Sequence, residues 1–325
     1  MCNRIAPLAA FCLSLAASCP VTPQEAAPRG GRPVRLIVPF PAGGSMDLMS
    51  RLLAEALQSR LGRPVAVENR AGAGGNVGAE ALARAASDGD TLGALPANIF
   101  TINRYVYRRL PYDPDAGFTL LGNFAAFPSV LLATNGYGPQ DLGELVRATR
   151  TGGPPPACGT PGPGTTPHLA LVLLMREVGA ECTVVHYRGT APAMPDLQTG
   201  KIQLYIDTVL TGLVAARDGR ARALAVTSAR RLPLAPEIPT AAETVPDFEV
   251  SAWLALAGPR GLPGPVAARL EAAVIAAAHD PAVAARLSGL GAEPLGTGAA
   301  ELAATIHEES ARWGPVVRAA GVTAE

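Results

Sequence analysis

Three times in this chain a short apolar run ends in a Gly-rich turn and passes straight into a helical pattern. The first instance is the clearest. Val34–Val38 is apolar and bounded by Pro and Gly, as a buried strand would be; Pro39-Phe40-Pro41-Ala42-Gly43-Gly44-Ser45-Met46-Asp47 follows, and then Leu48, Leu52, Leu53, Ala56 and Leu57 fall at helical spacing. Strands fed into helices in this way pair in parallel and need helices on both faces of the sheet. The turn itself directs free backbone N–H groups and the positive end of a helix dipole at one spot, which suits an anion, and the expected occupant is a carboxylate. It is not a phosphate loop, because the Lys-Ser/Thr that reaches phosphates and metal is missing, and it is not a GxGxxG.

The second turn is Ala71-Gly72-Ala73-Gly74-Gly75-Asn76 and the third is Gly159-Thr160-Pro161-Gly162-Pro163-Gly164-Thr165-Thr166. Strands at 34–38, 65–68 and 91–95 with helices at 47–60 and 77–86 make a βαβαβ unit, with Asp88-Gly89 as the turn before its last strand. The pattern loosens through Asn98, Asn103 and Pro111-Tyr112-Asp113-Pro114, then returns as apolar segments around Leu120 and 130–133, where a first domain crossing is placed. A second α/β unit follows: helices at 142–149, 168–178 and 191–198, and strands at 157–158, 183–187, 202–206 and 222–227. The Pro-rich stretch 230–239 suits a connection back to the first unit; a strand at 250–257 and helices at 265–278, 281–290 and 299–320 close the chain. Two lobes joined by two crossings result: residues 33–125 with 236–325 in lobe 1, and 126–235 in lobe 2. A cleft lies between facing strand ends, where open α/β sheets bind ligands.

At 325 residues and 48% apolar content the chain can bury a core in each lobe. Lys+Arg and Asp+Glu both number 27, so no basic excess exists to attract nucleic acid or an acidic membrane. Arg4, an apolar core at 6–17 and small residues before Cys19 have the layout of a secretory signal, too short to span a bilayer. Residues 21–32, rich in Pro, Gly and small residues, read as a flexible mature N-terminus. Leu15-Ala16-Ala17-Ser18-Cys19 resembles a lipoprotein box, with Ala16 where a larger aliphatic residue is usual; lipidation at Cys19 would anchor the protein to a membrane. The body keeps two cysteines, Cys158 and Cys182. They either pair in an oxidising compartment or stay as small buried thiols on neighbouring strands. No CxxC or His-rich spacing suggests zinc, and no cofactor motif is found.

Among side chains that carry chemistry, Asp47 near a helix start reads as a cap or dipole partner, with a supporting role in orienting loop N–H groups or meeting a ligand ammonium. His168 either donates to a ligand oxygen or caps its local turn. Asp207 ends an apolar strand, where cleft residues collect. His186 and Asp207 invite a metal or acid–base reading, yet no Ser/His/Asp or Cys/His set has the spacing of a triad, so no catalytic residue is assigned. His279 and His307 read as surface residues on helices.

These segments together resemble the tripartite tricarboxylate transporter substrate-binding proteins, the Bug family of periplasmic receptors. The resemblance runs from Arg32 to Ala324. It is carried by Pro39-Phe40-Pro41-Ala42-Gly43-Gly44 with Asp47, by the run 67–76, by Asp88-Gly89 and by Leu110-Pro111-Tyr112-Asp113-Pro114. Gly164-Thr165 with His168-Leu169-Ala170, Tyr187-Arg188-Gly189 with Ala191-Pro192-Ala193, and the run 223–228 continue it. What the resemblance implies is a type II periplasmic-binding-protein-like α/β fold, two Rossmann-like lobes closing over a small organic acid. Carried over from the family, the ligand residues are Phe40, Gly43, Gly44, Ser45, Asn76, Gly164, Thr165, His168 and Asp207, with Asp47 in support and Asn98 and Phe100 in a ligand-facing region. It further implies a periplasmic monomer without a cofactor that hands its carboxylate to tripartite tricarboxylate-type permease subunits. An enzyme on the same fold and a ligand sensor feeding a membrane kinase are the alternatives. The chain departs from the family pattern in the prolines of the third turn, which remove two N–H donors, in His186 where proline is common, and in Thr208 where asparagine is usual.

Overall fold

The computed structural model describes residues 32–150 and 154–324. Residues 1–31, on which the secretory-signal and Cys19 lipidation readings fall, lie outside the described residues. In chain order, β1 (Val34–Val38), α1 (Ser45–Leu61), β2 (Val65–Asn69), α2 (Asn76–Ala83) and β3 (Thr91–Pro96) form the first unit. Two short helices, α3 (Ala97–Thr101) and α4 (Asn103–Val106), lead to β4 (Phe118–Ala133), a strand of 16 residues. The second unit is α5 (Leu142–Arg150), β5 (Ala157–Thr160), α6 (Thr166–Glu177), β6 (Thr183–His186), α7 (Met194–Gln198), β7 (Leu204–Thr208), α8 (Val209–Arg217) and β8 (Arg222–Val226). Strand β9 (Ser251–Pro259), α9 (Gly264–Ala278), α10 (Pro281–Gly289), β10 (Glu293–Thr297) and α11 (Ala299–Ala319) follow.

Helix α1 shows why these elements form. Met49, Leu53 and Leu57 are wholly buried on one face while Leu48 turns outward, and each buried side chain contributes about 1.5–3 kcal/mol. The helix stops at Gly62, whose φ of 63° lets its N–H reach the carbonyl of Gln58 at 3.1 Å.

Strand β1 pairs in parallel with β2 and β3, and β9 lies antiparallel between β3 and the first part of β4. The β4–β9 register runs from Phe118↔Pro259 to Pro128↔Ser251. From Ser129 onward β4 takes new antiparallel partners, β7 (Ser129↔Thr208) and β8 (Val130↔Val226), and β5 pairs in parallel with β6 and β7. Strand β4 is therefore shared by both halves of the sheet. The fold is α/β, two-lobed, with one crossing through β4 and the other leading from β8 into β9. Thr227 ties the two crossings together: its hydroxyl accepts from Ser129 N at 2.8 Å and donates to Val250 O at 2.6 Å.

Several features differ from the sequence expectation. The apolar segments around Leu120 and 130–133 are one continuous strand, because helices pack on it and leave almost no exposed alternation to read. It bends at Gly122, where φ is 151° and a Cβ would sit 2.6 Å from Thr297 O. Helix α8, α3, α4 and β10 are additional elements. The C-terminal helix α11 is not confined to the first lobe's core. Leu302 and Ile306 pack in a cluster with Phe100 and Trp253, whereas Trp313 and Val317 pack in another with Leu169 and Leu174 of α6. Cys158 and Cys182 form a disulfide that fastens β5 to the segment entering β6, with Cα atoms 6.0 Å apart. Of the two readings left open by the sequence, pairing is the one found.

Candidate functional site

A cavity lies where the C-terminal ends of the parallel strands face each other. It holds about 570 Å³ of empty space, counting its open mouth. Phe40, Pro41, Ala42, Gly44, Ser45 and Met46 of the β1–α1 turn form one wall, with Pro96 and Asn98 beside them. Pro161, Thr165, Thr166 and Pro167 of the β5–α6 loop, then Arg188, Gly189, Thr190 and Ala191 after β6, and Thr208 at the end of β7, face them. Phe127 and Ala252, on the crossing strands, complete the lining.

The first wall presents backbone donors. Gly44 is the N-cap of α1 with φ −90° and ψ 177°, no side chain caps the helix, and the first helical bond is Leu48 N to Gly44 O at 3.0 Å. The N–H groups of the first turn thus have no carbonyl of their own helix to bond, and the positive end of a 17-residue helix points into the cavity. Asp47 holds this turn from behind. Its Oδ2 accepts from Gly43 N at 3.0 Å and from Arg51 Nε at 2.9 Å, and its Oδ1 accepts from Asn69 Nδ2 at 3.0 Å; Asn69 also reaches Phe40 O at 3.0 Å. Burial pushes the Asp47 carboxyl upward, but hydrogen bonds from Arg51, Gly43 and Asn69 outweigh it and hold the group below its usual range. With Arg51 beside it, the Asp47 charge is compensated and leaves the helix terminus available to an outside anion.

The opposite wall is nearly self-satisfied. Gly164 N donates to His168 Nδ1 at 3.2 Å, Gly162 N to Thr160 Oγ1 at 3.4 Å, and Thr165 N to Gly162 O at 3.4 Å. Thr165 caps α6 by accepting from His168 N, while Pro161, Pro163 and Pro167 have no N–H to offer. His168 is therefore a neutral acceptor inside the turn: burial, and then the neighbouring His186 ring 4.7 Å away, push its pKa down to about 3. Beneath this wall Asp207 accepts from Thr190 Oγ1 at 2.9 Å, Thr208 N at 2.8 Å and Thr211 Oγ1 at 2.6 Å, yet complete burial still lifts its pKa to about 6. The buried Thr208 hydroxyl has no partner.

Of the residues expected from the sequence, Phe40, Gly44, Ser45, Asn98 and Thr165 come together in the lining. Gly43 is not in the lining, and its N–H is engaged by Asp47. Asp47, His168 and Asp207 stand behind the lining as described. Asn76 is also set back, its Oδ1 accepting from Asn103 and Tyr112, and Gly164 abuts Asn103. Phe100 faces the core, stacked on Trp253 at 5.8 Å. Arg188, Thr190 and Thr208 line the cavity but were not singled out as ligand residues. Arg188 and Gly189 follow a strand much as the other turns do, which was the available signal. Among the described residues no cluster of three or more His, Cys, Asp or Glu side chains has the geometry to hold a metal ion, and no helix is long and apolar enough to cross a membrane.

Residues 49–322 match the family described as the tripartite tricarboxylate transporter family receptor. The chain belongs to this receptor family. The Bordetella pertussis protein BugT is 32% identical to the receptor over 321 residues, 98% of each chain. Among solved structures, R. palustris Rpa4515 with adipate superposes with a TM-score of 0.86 at 33% identity, covering 90% of this chain and 98% of that one. The periplasmic binding protein BugD gives 0.84 at 32% identity, covering 90% and 99%. The receptor shares the periplasmic-binding-protein fold of these relatives and their solute-binding class. It is a receptor of the tripartite tricarboxylate transporter type.

Proposed function

We propose that the interlobe cavity is the carboxylate site of this receptor, with one carboxylate of a small organic acid held by the first-turn N–H groups of α1. The observation that carries this reading is the uncapped start of α1 opening onto a mostly apolar cavity. In such surroundings backbone donors act at low dielectric and tolerate many acids, leaving selectivity to a few side chains. The lobes are residues 33–125 with 236–325, and 126–235; the change of partners along β4 after Pro128 supports that division, with α11 bracing both cores. Closure is a hinge motion about the two crossings. The protein works as an exported monomer that delivers its ligand to permease subunits; the transporter-receptor family supports the delivery and the periplasmic binding protein BugD supports the export. An acyl anchor at Cys19 would tether it to the membrane.

Calorimetry of the mature protein against mono-, di- and tricarboxylates, amino acids and aromatic acids tests the reading, with Gly44→Val as the probe of the site. Gly44 has ordinary backbone angles, and a Cβ there would make only an ordinary 3.6 Å contact with Pro41 O. The side chain starts from a Cβ without a clash and obstructs the donors, and thermal melting of the variant verifies that it folds. Acid binding should be lost in it. Undiminished affinity in folded Gly44→Val would sink the assignment, and turnover of a bound acid would favour an enzyme instead.

A further inference from the structure

The fold buries Asp207 without a cation beside it. The residue is 1% exposed at the end of β7. Its two carboxyl oxygens take three neutral donors, Thr190 Oγ1, Thr208 N and Thr211 Oγ1. Helix α8 lies directly over it, since a Cβ on Gly212 would come 3.4 Å from Asp207 Cβ. Among the described residues the surrounding elements bring no positive counter-charge. Ser129 to Ala133 of β4 and Ala157–Thr160 of β5, which flank β7, carry no titratable side chain, Cys158 being held in the disulfide. On α8 the charged residue is Arg217 in the last turn, which reaches Leu234 O. On α6 His168 is neutral, and Arg176 and Glu177 stand at the far end. Burial also pushes the His186 pKa down at the end of β6. Tyr205 of β7 is a buried neutral phenol. In the β6–α7 loop Tyr187 gives its hydroxyl to Asp196, and Arg188 is exposed. The acidity of Asp207 is set by burial against its three hydrogen bonds, with no charged neighbour contributing.

Two of those donors belong to residues of the cavity lining, Thr190 and Thr208. One layer of threonine therefore separates the Asp207 carboxylate from the space where an acid anion sits. Like charges in low-dielectric surroundings oppose each other. An anion entering the cavity, with water leaving it, makes ionised Asp207 more costly, and a proton on Asp207 relieves that cost.

Resting on the carboxylate-receptor reading, we infer that Asp207 is a proton site coupled to the ligand site, so that the receptor takes up an acid anion and a proton together. The proton comes from solvent and forms one O–H bond at the Asp207 carboxyl. The Thr190 and Thr211 hydroxyls accept as well as donate, so the neutral acid stays hydrogen-bonded.

The test is calorimetry of adipate, malate and benzoate binding at pH 7 in HEPES and in Tris. The two buffers differ in ionisation enthalpy, so the difference in apparent heat counts the protons taken up, and the acids themselves are ionised at this pH. Starting from a pKa of about 6, a roughly ten- to hundredfold gain in proton affinity from the added charge gives about 0.4–0.8 proton per acid bound. The bound state holds the extra proton, so affinity should fall about two- to fivefold between pH 7 and pH 8. Asp207→Asn, checked by thermal melting, should bind with less than about 0.1 proton and with level affinity over that range. Infrared difference spectra of wild type should show the carbonyl band of a protonated carboxyl appearing on binding. That band separates Asp207 from uptake at His186 even where the variant does not fold. Heat independent of buffer in wild type, the same proton count in folded Asp207→Asn, or no carboxyl band overturns the inference. In each case acid binding that Gly44→Val abolishes leaves the carboxylate reading standing. A wild type that binds none of the acids overturns both.

Discussion

Replacing Gly74 with alanine places a methyl group between the lobes. Gly74 lies in the turn between β2 and α2 with φ 61°, and a Cβ there would fall 2.7 Å from the backbone oxygen of Pro163 in the β5–α6 loop and 2.5 Å from Tyr107 Oη. The tyrosine hydroxyl is the end of a side chain and can swing away, whereas the Pro163 carbonyl is backbone. To reach an ordinary contact the Pro163 loop has to retreat by about 0.7 Å, which separates the lobes at the point where they close. Overpacking of this size costs about 1–3 kcal/mol. Borne by the closed arrangement alone, it weakens acid binding by roughly 5- to 150-fold. The left-handed backbone adds about 1–2 kcal/mol of strain whether the lobes are open or closed. Gly62→Ala is the matched control, since Gly62 has φ 63° and open space around its missing Cβ. Both variants should lose similar stability in urea, but only Gly74→Ala should lose affinity by calorimetry and show an enlarged radius of gyration with ligand by small-angle scattering. Equal affinities in the two variants would refute the reasoning.

Removing the disulfide with Cys158→Ala/Cys182→Ala opens a loop with a sequence separation of 24 and should cost about 3.5 kcal/mol in urea unfolding; unchanged stability would contradict a structural role for it. Asp207 should give the protein an unusual pH dependence. Its folded pKa of about 6 exceeds the ordinary 3.8, so between those values the folded state keeps a proton that the unfolded state releases, and stability falls as pH rises. The full drop is about 3 kcal/mol. Asp207→Asn keeps an acceptor for Thr190 and Thr208 and should flatten that limb of the stability–pH curve; a variant curve parallel to wild type would remove Asp207 as its source.

The repeated strand–turn–helix units were legible because each combines an apolar run, glycine at a turn and a helical stripe within twenty residues. β1 runs over Val34–Val38 as expected, and α1 begins two residues before the expected Asp47. Strand β4 was harder, since burial on both faces erases alternation. Helix α8 follows β7 without a break, Thr208 ending one and Val209 beginning the other, so no turn residue marks its start. In the site, sequence marked the turns and the fold decided which atoms remain free. Gly43 N is bound by Asp47 and Gly164 N by His168, contacts four residues apart that depend on side-chain rotamers no motif displays. Arg188 and Thr208 become lining residues only when three separate loops converge.

The central claim, that a carboxylate sits on the first turn of α1 inside the interlobe cavity, is tested most directly by a crystal structure with a dicarboxylic acid that calorimetry shows to bind. The expected density places one carboxylate within hydrogen-bonding distance of the N–H groups of Gly44, Ser45 or Met46. A ligand seated outside this cavity, or one whose carboxylates both turn away from α1, would contradict it.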